Sequence, residues 1–408
     1  MGASSEEERV PLMDLQHGAT GFFDEIVPSI IQIFNGGIQT GEIAGAGSGY
    51  VIDREGYCIT NKHVTDQAPV LEIALYGDQE ESRAAENARW RAELIAEDPA
   101  LDLAVIKIDA PADKFNPVRL GDSSEVRSGD TVATFGSPGG DPGWVDRSRD
   151  NFEDSWLEFY NLNIGVIAEV LSFEEAFWTY RDVFTQNYVD FLSRVGPRDY
   201  GSAVEYLFHT DAAINHGNSG GPCLNVYGEA IGTNTWGFPG ENMGFSVPVN
   251  LLKRSVTDIL EYGHVRRPWC GIALHPERTG QQAYEDAWAT ETLPYTGAVW
   301  FDTSPDELKI YTVNPYSPAY EAGIREGDVV QKIDGRTWEN IFDIYSYIMS
   351  LEVDDEVVIE LERNGAPLRP MRITLAEKLT RYFGTNIEAS AVGSYGSEVT
   401  RYSSDITY

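Results

Sequence analysis

From about residue 25 to residue 250 the apolar positions fall into short runs broken by Gly, Asp, Asn and Pro, the pattern of an all-β barrel or sandwich domain. The stretch "GSGYVIDREGYCIT" predicts a hairpin, with apolar strands on both sides of the turn Asp53-Arg54-Glu55-Gly56. In "LDLAVIKID", Leu103, Val105 and Ile108 alternate with smaller or polar residues, which predicts a strand with one buried face. The pattern then changes period. In "MGFSVPVNLLKRSVTDILEYG", Leu251, Leu252, Val256 and Ile259 have helical spacing, and Gly263 ends the run.

Two segments interrupt the strand rhythm. "GGDPGWVDRSRDNFEDSWLEFYN" is polar and aromatic and reads as a long loop. In "SFEEAFWTYRDVFTQNYVDFLSRVGP", Ser172 and Glu175 form a capping box, and aromatic residues recur every three or four positions until Gly196-Pro197. That pattern predicts an amphipathic helix, used either for packing on the β domain or for a subunit or regulatory contact. A second domain follows from about 265 to 376, and the last thirty residues, polar and rich in Ser, Thr and Gly, read as a loose tail.

Charge narrows the choice of partners. The 408 residues carry a formal charge of −35 with a pI near 4.4, and an acidic surface cannot displace the counterions of a phosphate backbone, so nucleic acid is excluded. Only 7 of the 30 basic residues are Lys, and the acidic residues are dispersed, as suits solubility at high salt. Cys58, Cys223 and Cys270 are odd in number and lie in apolar contexts, which predicts buried free thiols rather than disulfides or a zinc site. No basic-then-apolar leader and no run of 18 apolar residues occurs, so the chain as written reads as cytoplasmic, or as extracytoplasmic if an export signal has been removed.

One constellation carries chemistry. Hydrolysis by a serine needs a base within reach, an acid that orients the base, and donors for the oxyanion. Ser219 in "GNSGG" has glycines on both sides, which suits either a tight structural turn or a nucleophile whose neighbouring amides, those of Gly217 and Ser219, converge on one point. His63 stands where the strand of "GYCITNKHV" runs into a polar loop. Asp102 leads the strand "LAVIKID", with Asp98 as the second choice for the acid.

The blocks "GAGSGYVIDREGYCITNKHV", "DPALDLAVIKID", "HTDAAINHGNSGGPCLNVYGEAIGTNT" and "MGFSVPVN" together resemble the signatures of the HtrA/Deg serine proteases, in that family's order. The resemblance implies a mainly β fold, a chymotrypsin-like double β-barrel followed by a C-terminal α/β PDZ domain. It assigns His63 as general base, Asp102 as its orienting partner, Ser219 as nucleophile, and the amides of Gly217 and Ser219, with Asn218 between them, as the oxyanion hole. "SPAYEAGIREGDVVQKIDG" is similar to a PDZ segment, so Trp269, Cys270, Gly271 and Ile272 would form the loop that binds a peptide C-terminus.

The domains expected on this basis are a flexible acidic segment at 1–20, a trypsin-like protease domain at 21–262 with its helical insertion at about 172–204, a PDZ domain at 263–377 and a polar tail at 378–408. Family likeness also implies unfolded or damaged proteins as substrates, no metal or nucleotide cofactor, and a homotrimer or higher oligomer, with Phe22 and Phe23 at the place of trimer-forming aromatics. Ala213, near where trypsin-like relatives carry an acidic pocket base, disfavours Lys or Arg before the scissile bond and leaves small or aliphatic residues. The alternative is a gated or inactive chaperone scaffold that binds peptides through its PDZ domain.

Overall fold

The computed structural model describes residues 18–37, 42–65, 70–76, 89–99, 101–137, 160–172, 206–215, 217–238, 243–274, 307–338 and 341–377. Strands β1 (Ile30–Gly37), β2 (Glu42–Val51), β3 (Tyr57–Asn61), β4 (Leu71–Leu75), β5 (Arg89–Asp98) and β6 (Leu103–Ile108) close a barrel in the order β1-β2-β3-β6-β5-β4. The predicted hairpin is β2–β3, with Val51 opposite Cys58. Its turn is held by the Asp53 carboxylate, which accepts from the amides of Glu55 and Tyr57.

After the two-residue β7 (Arg119–Leu120) come β8 (Thr131–Gly136), β9 (Asn161–Ser172), β10 (Tyr206–Thr210), β11 (Pro222–Asn225), β12 (Glu229–Phe238) and β13 (Met243–Pro248). They run β11-β8-β9-β10-β13-β12, and the β11–β12 pairing closes this second ring, with β7 added parallel to β12. Closure leaves neither ring a long open edge.

Strand β6 departs from the one-faced strand expected of it, because all of its residues except Lys107 are buried. Leu103 and Val105 pack into the core between the barrels with Ala133, Phe135 and Leu224. Ile106 and Ile108 point the other way, into the first barrel with Ile31, Ile33 and Val51. A strand covered on both faces has no polar side to alternate with, and each such side chain contributes about 1.5–3 kcal/mol on burial.

Helix α1 (Gly18–Ile26) precedes β1, and here an expectation fails. Phe22 is fully buried 6.2 Å from Phe135, and Phe23 stacks on the same ring at 5.7 Å. Both aromatics pack into this chain's own core, so Phe22 is not open to a neighbouring copy. After the short α2 (Lys62–Thr65), α3 (Val249–Tyr262) buries Leu252, Val256 and Ile259 and ends where the Gly263 amide bonds to Ile259 O.

The second domain has its own apolar core, with Ile310, Ile333, Ile344, Val357 and Ile359 among its members. It contains β14 (Pro268–Trp269), β15 (Ile272–Ala273), β16 (Thr312–Val313), helix α4 (Pro318–Glu321), β17 (Val329–Ile333) and helix α5 (Ile341–Ser350). β18 (Glu356–Arg363), β19 (Ala366–Pro367), β20 (Met371–Thr374) and β21 (Ala376–Glu377) complete it, and β21 returns to pair with β14. The join to α3 is polar. Arg254 donates to Met349 O and Leu351 O, both at 2.6 Å, at the C-terminal end of α5, where a cation is favoured.

The three thiols sit in three separate cores, Cys58 in the first barrel, Cys223 in the second and Cys270 in the second domain. Burial pushes all three pKa values up, that of Cys223 to about 12. A thiol reagent at pH 8 should therefore label no cysteine in the native protein and three in guanidinium. Rapid native labelling would contradict this packing.

The aromatic segment expected as a helix lies outside the described residues apart from Ser172, which ends β9. The acidic N-terminus to residue 17, the long loop at 138–159 and the tail from 378 lie outside them as well.

Candidate active site

The site forms where the two barrels meet. Strand β3 ends at Asn61, and α2 turns the chain at once, so that His63 stands at the edge of the first barrel. Asp102, 1 % exposed, precedes β6, the neighbour of β3, and adopts φ 51°, an uncommon conformation for a residue with a side chain. Two donors hold its carbonyl there, the Lys62 amide at 2.9 Å and Asn61 Nδ2 at 3.1 Å.

This turn aims the Asp102 carboxylate at the imidazole. His63 Nδ1 is 2.6 Å from Asp102 Oδ2, and the His63 amide donates to Asp102 Oδ1 at 3.0 Å. With a carboxylate facing Nδ1, the proton of neutral His63 belongs on Nδ1, which leaves Nε2 as the basic nitrogen. Asp98, the second choice for this place, is equally buried but turned elsewhere. It pairs with Arg267 and accepts from Ser255 Oγ at 2.6 Å.

A participant not singled out from the sequence is Thr235 on β12. Its Oγ1 donates to Asp102 Oδ2 at 2.7 Å, and its carbonyl accepts from Ser219 Oγ at 3.4 Å. One residue thus touches the buried acid with its side chain and the serine with its backbone. A buried carboxylate that accepts from three donors is held in position. In the sequence Thr235 only ends the block "HTDAAINHGNSGGPCLNVYGEAIGTNT", which says nothing of a hydroxyl on Asp102.

The segment around Ser219 explains its glycines. Gly220 has φ +85°, and a Cβ there would collide with Ser48 O and Thr60 Oγ1 from the first barrel. Gly217 has φ +95°. The amides of Asn218, Gly220 and Gly221 bond to Asn215 O (2.9 Å), Asn234 O (2.8 Å) and Asn218 O (3.0 Å). Among the described residues, the amides of Gly217 and Ser219 make no backbone hydrogen bond, and these are the two donors expected of an oxyanion hole.

Near the site, rings stack in series, Trp236 on Phe245 at 5.6 Å and Phe245 on His209 at 5.3 Å. Burial lowers the pKa of His209 against the opposing pull of Glu169, which favours the neutral ring. Ile214 lies 2.6 Å from where a Cβ on Gly244 would stand, so an aliphatic side chain fills the space beside Ala213.

In the second domain, Trp269 pairs with Ala376 in the β14–β21 ladder. Cys270 O and Gly271 O accept from Ala319 N and Asn314 N, both at 2.9 Å, so the loop through Ile272 is braced by α4 and the turn before it. Residues 275–306, which follow β15 in the chain, lie outside the described residues.

Residues 47–232 match the trypsin-like peptidase domain model, and residues 272–370 match the PDZ domain model. The chain thus carries a trypsin-like peptidase domain followed by a PDZ domain. With relatives named as serine endoproteases, it is by class a serine-type endopeptidase. It is 27% identical to protease Do-like 1 of Arabidopsis thaliana chloroplasts over 87% of its own length and 71% of the relative's. It is 26% identical to the periplasmic serine endoprotease DegP of Escherichia coli, over 91% and 65% of the two chains. A probable periplasmic DegP-like endoprotease of Brucella suis is 30% identical over 78% and 50%. The chain thus spans between half and about seven-tenths of the length of these curated relatives.

Among solved structures, the HtrA-type protease AlgW with a decapeptide has a TM-score of 0.59 and 22% identity, covering 88% of this chain and 98% of that one. The serine endoprotease of Yersinia pestis has a TM-score of 0.57 and 22% identity, covering 88% and 97%. Both share the two-barrel and PDZ fold.

Proposed function

We propose that the protein cleaves peptide bonds in unfolded or damaged proteins, with Ser219 as nucleophile, His63 as general base and Asp102 as the residue that orients it. The single observation that carries this reading is the short contact between His63 Nδ1 and a buried, three-donor Asp102, which is joined to Ser219 through Thr235. In acylation His63 Nε2 takes the Ser219 proton as Oγ attacks the scissile carbonyl, and the new oxyanion lies against the amides of Gly217 and Ser219. The tetrahedral intermediate collapses, and His63 delivers the proton to the leaving amine. Water, activated by the same nitrogen, then releases the acyl group.

Trp269 to Ile272 would bind the C-terminus of a substrate or a signalling peptide, consistent with a structural neighbour solved with a decapeptide. Assembly as a homotrimer or larger oligomer belongs to the same proposal, through surfaces other than Phe22. With Ile214 and Ala213 in the pocket, small or aliphatic residues are the expected side chains before the scissile bond.

Ile214→Ala should widen that pocket. The kcat/KM ratio for a leucine over a valine at that position is expected to rise roughly ten-fold, the scale of one or two methylenes in an apolar pocket. An unchanged ratio on paired peptide substrates would remove Ile214 from the pocket.

The test of the whole reading is labelling by a fluorophosphonate probe together with hydrolysis of unfolded casein. Labelling at Ser219 with turnover supports the protease. Affinity for peptide C-termini without labelling or turnover would replace it with a peptide-binding scaffold.

A further inference from the structure

We propose that Ser48, on β2, is a positioning residue for the oxyanion hole. This inference rests on the protease reading above. Ser48 is fully buried, and each of its polar groups is bonded across a boundary between elements. Its amide donates to Ser219 O at 2.8 Å, and its carbonyl accepts from Thr60 Oγ1 at 2.7 Å. Its hydroxyl donates to Gly217 O at 2.6 Å and accepts from the Ser137 amide, just past the end of β8, at 2.8 Å. One side chain of the first barrel therefore ties the second barrel to the segment that carries the nucleophile.

The consequence follows from the peptide planes. The plane between Gly217 and Asn218 is fixed at both ends, its carbonyl by Ser48 Oγ and its N–H by Asn215 O. The next plane is fixed by Gly221 N on Asn218 O, which turns the Ser219 N–H to the opposite side. Gly217 adjoins the first fixed plane, so the aim of its own N–H is set relative to that plane by its φ and ψ alone, with φ at +95°. The two amides of the hole thus flank a plane whose carbonyl end rests on the Ser48 hydroxyl.

Without that hydroxyl, Gly217 O would be a buried acceptor short of a partner. The plane would then be free to rotate towards another donor, and both amides would lose their common aim. A glycine at 48 could supply the amide and carbonyl contacts but not this one. Ser48 touches no reacting atom. Its effect on the reaction passes through the Gly217 carbonyl.

The experiment compares wild type with Ser48→Ala, Ser48→Cys and Ser48→Thr, in the full chain. Four quantities are read for each: the rate of fluorophosphonate acylation, kcat and KM on a peptide substrate, affinity for a peptide boronate, and thermal unfolding. The boronate forms a tetrahedral adduct with Ser219 whose hydroxyl occupies the hole, so it senses the amides directly. For Ser48→Ala, kcat, acylation rate and boronate affinity should fall together by roughly ten- to a hundred-fold, less than the loss of a donor itself, with KM within about two-fold.

Ser48→Cys keeps the shape with a weaker donor and should lie between alanine and wild type. Ser48→Thr, which keeps the hydroxyl, should recover most of the rate. If the alanine variant does not fold, the cysteine variant carries the test. Boronate affinity and acylation rate equal to wild type in the folded alanine or cysteine variants would overturn the proposal, as would losses that track the unfolding temperature alone. A wild-type protein inert to both probes would instead overturn the protease reading itself.

Discussion

Ser219→Ala should abolish fluorophosphonate labelling and lower kcat on casein or a peptide by about 10⁶-fold, leaving only attack by water in an otherwise intact site. The size of the effect follows from the chemistry. Without Oγ no acyl-enzyme forms, and the hole and the substrate-binding walls contribute only the residue of the acceleration. The substitution is also structurally mild. Ser219 Oγ has a long hydrogen bond to Thr235 O, while the fold uses the Ser219 carbonyl, which accepts from Ser48 N. KM and the unfolding temperature should therefore stay near those of wild type. The check is active-site titration with steady-state hydrolysis on the same preparations. Residual cleavage at more than a few per cent of wild type, freed of contaminating protease, would assign the nucleophile elsewhere.

Asp102→Asn should cost roughly 10⁴-fold in kcat with a KM changed only a few-fold. An amide is nearly the same shape, so the loss comes from its hydrogen-bonding character. Oδ2 now accepts from both Thr235 Oγ1 and His63 Nδ1–H. If the amide keeps its oxygen on the His63 backbone N–H, its NH₂ group takes the place of Oδ2, opposite Nδ1 and Thr235 Oγ1. That arrangement favours the tautomer with the proton on Nε2, where the base is needed. Rates of fluorophosphonate acylation measure the effect directly. A loss under ten-fold would mean that the contact between Asp102 and His63 is structural and does not tune the base.

The two predictions touch residues that were legible to different degrees. Ser219 could be read from its glycines, but those glycines have a further reason that the sequence hid. Gly220 must lack a Cβ because the backbone of Ser48 and the hydroxyl of Thr60 crowd it, more than 150 residues away along the chain. Asp102 and Asp98 were rivals because both are acidic and precede one strand. Only the folded chain separates them, by turning one to His63 and the other to Arg267 and Ser255.

Thr235 and Ser48 had no signal of their own, since a hydroxyl in a strand is ordinary until the partner it faces is known. Phe22 shows the opposite failure. An aromatic residue before the first strand was legible as important, but its contact is with Phe135 of the same chain.

What the sequence by itself determined is what depends on local pattern and on block order: a β-rich domain with the predicted β2–β3 hairpin, the helix that ends at Gly263, three thiols in apolar surroundings, and the candidates His63, Asp102 and Ser219 in that order. Tertiary structure alone decided which side chains meet. The closure of two rings, the two-faced burial of β6, and the contacts of Thr235 and Ser48 join residues up to about 170 positions apart. Hydrogen bonds require partners within about 3 Å, and no local periodicity specifies which distant group will come that near.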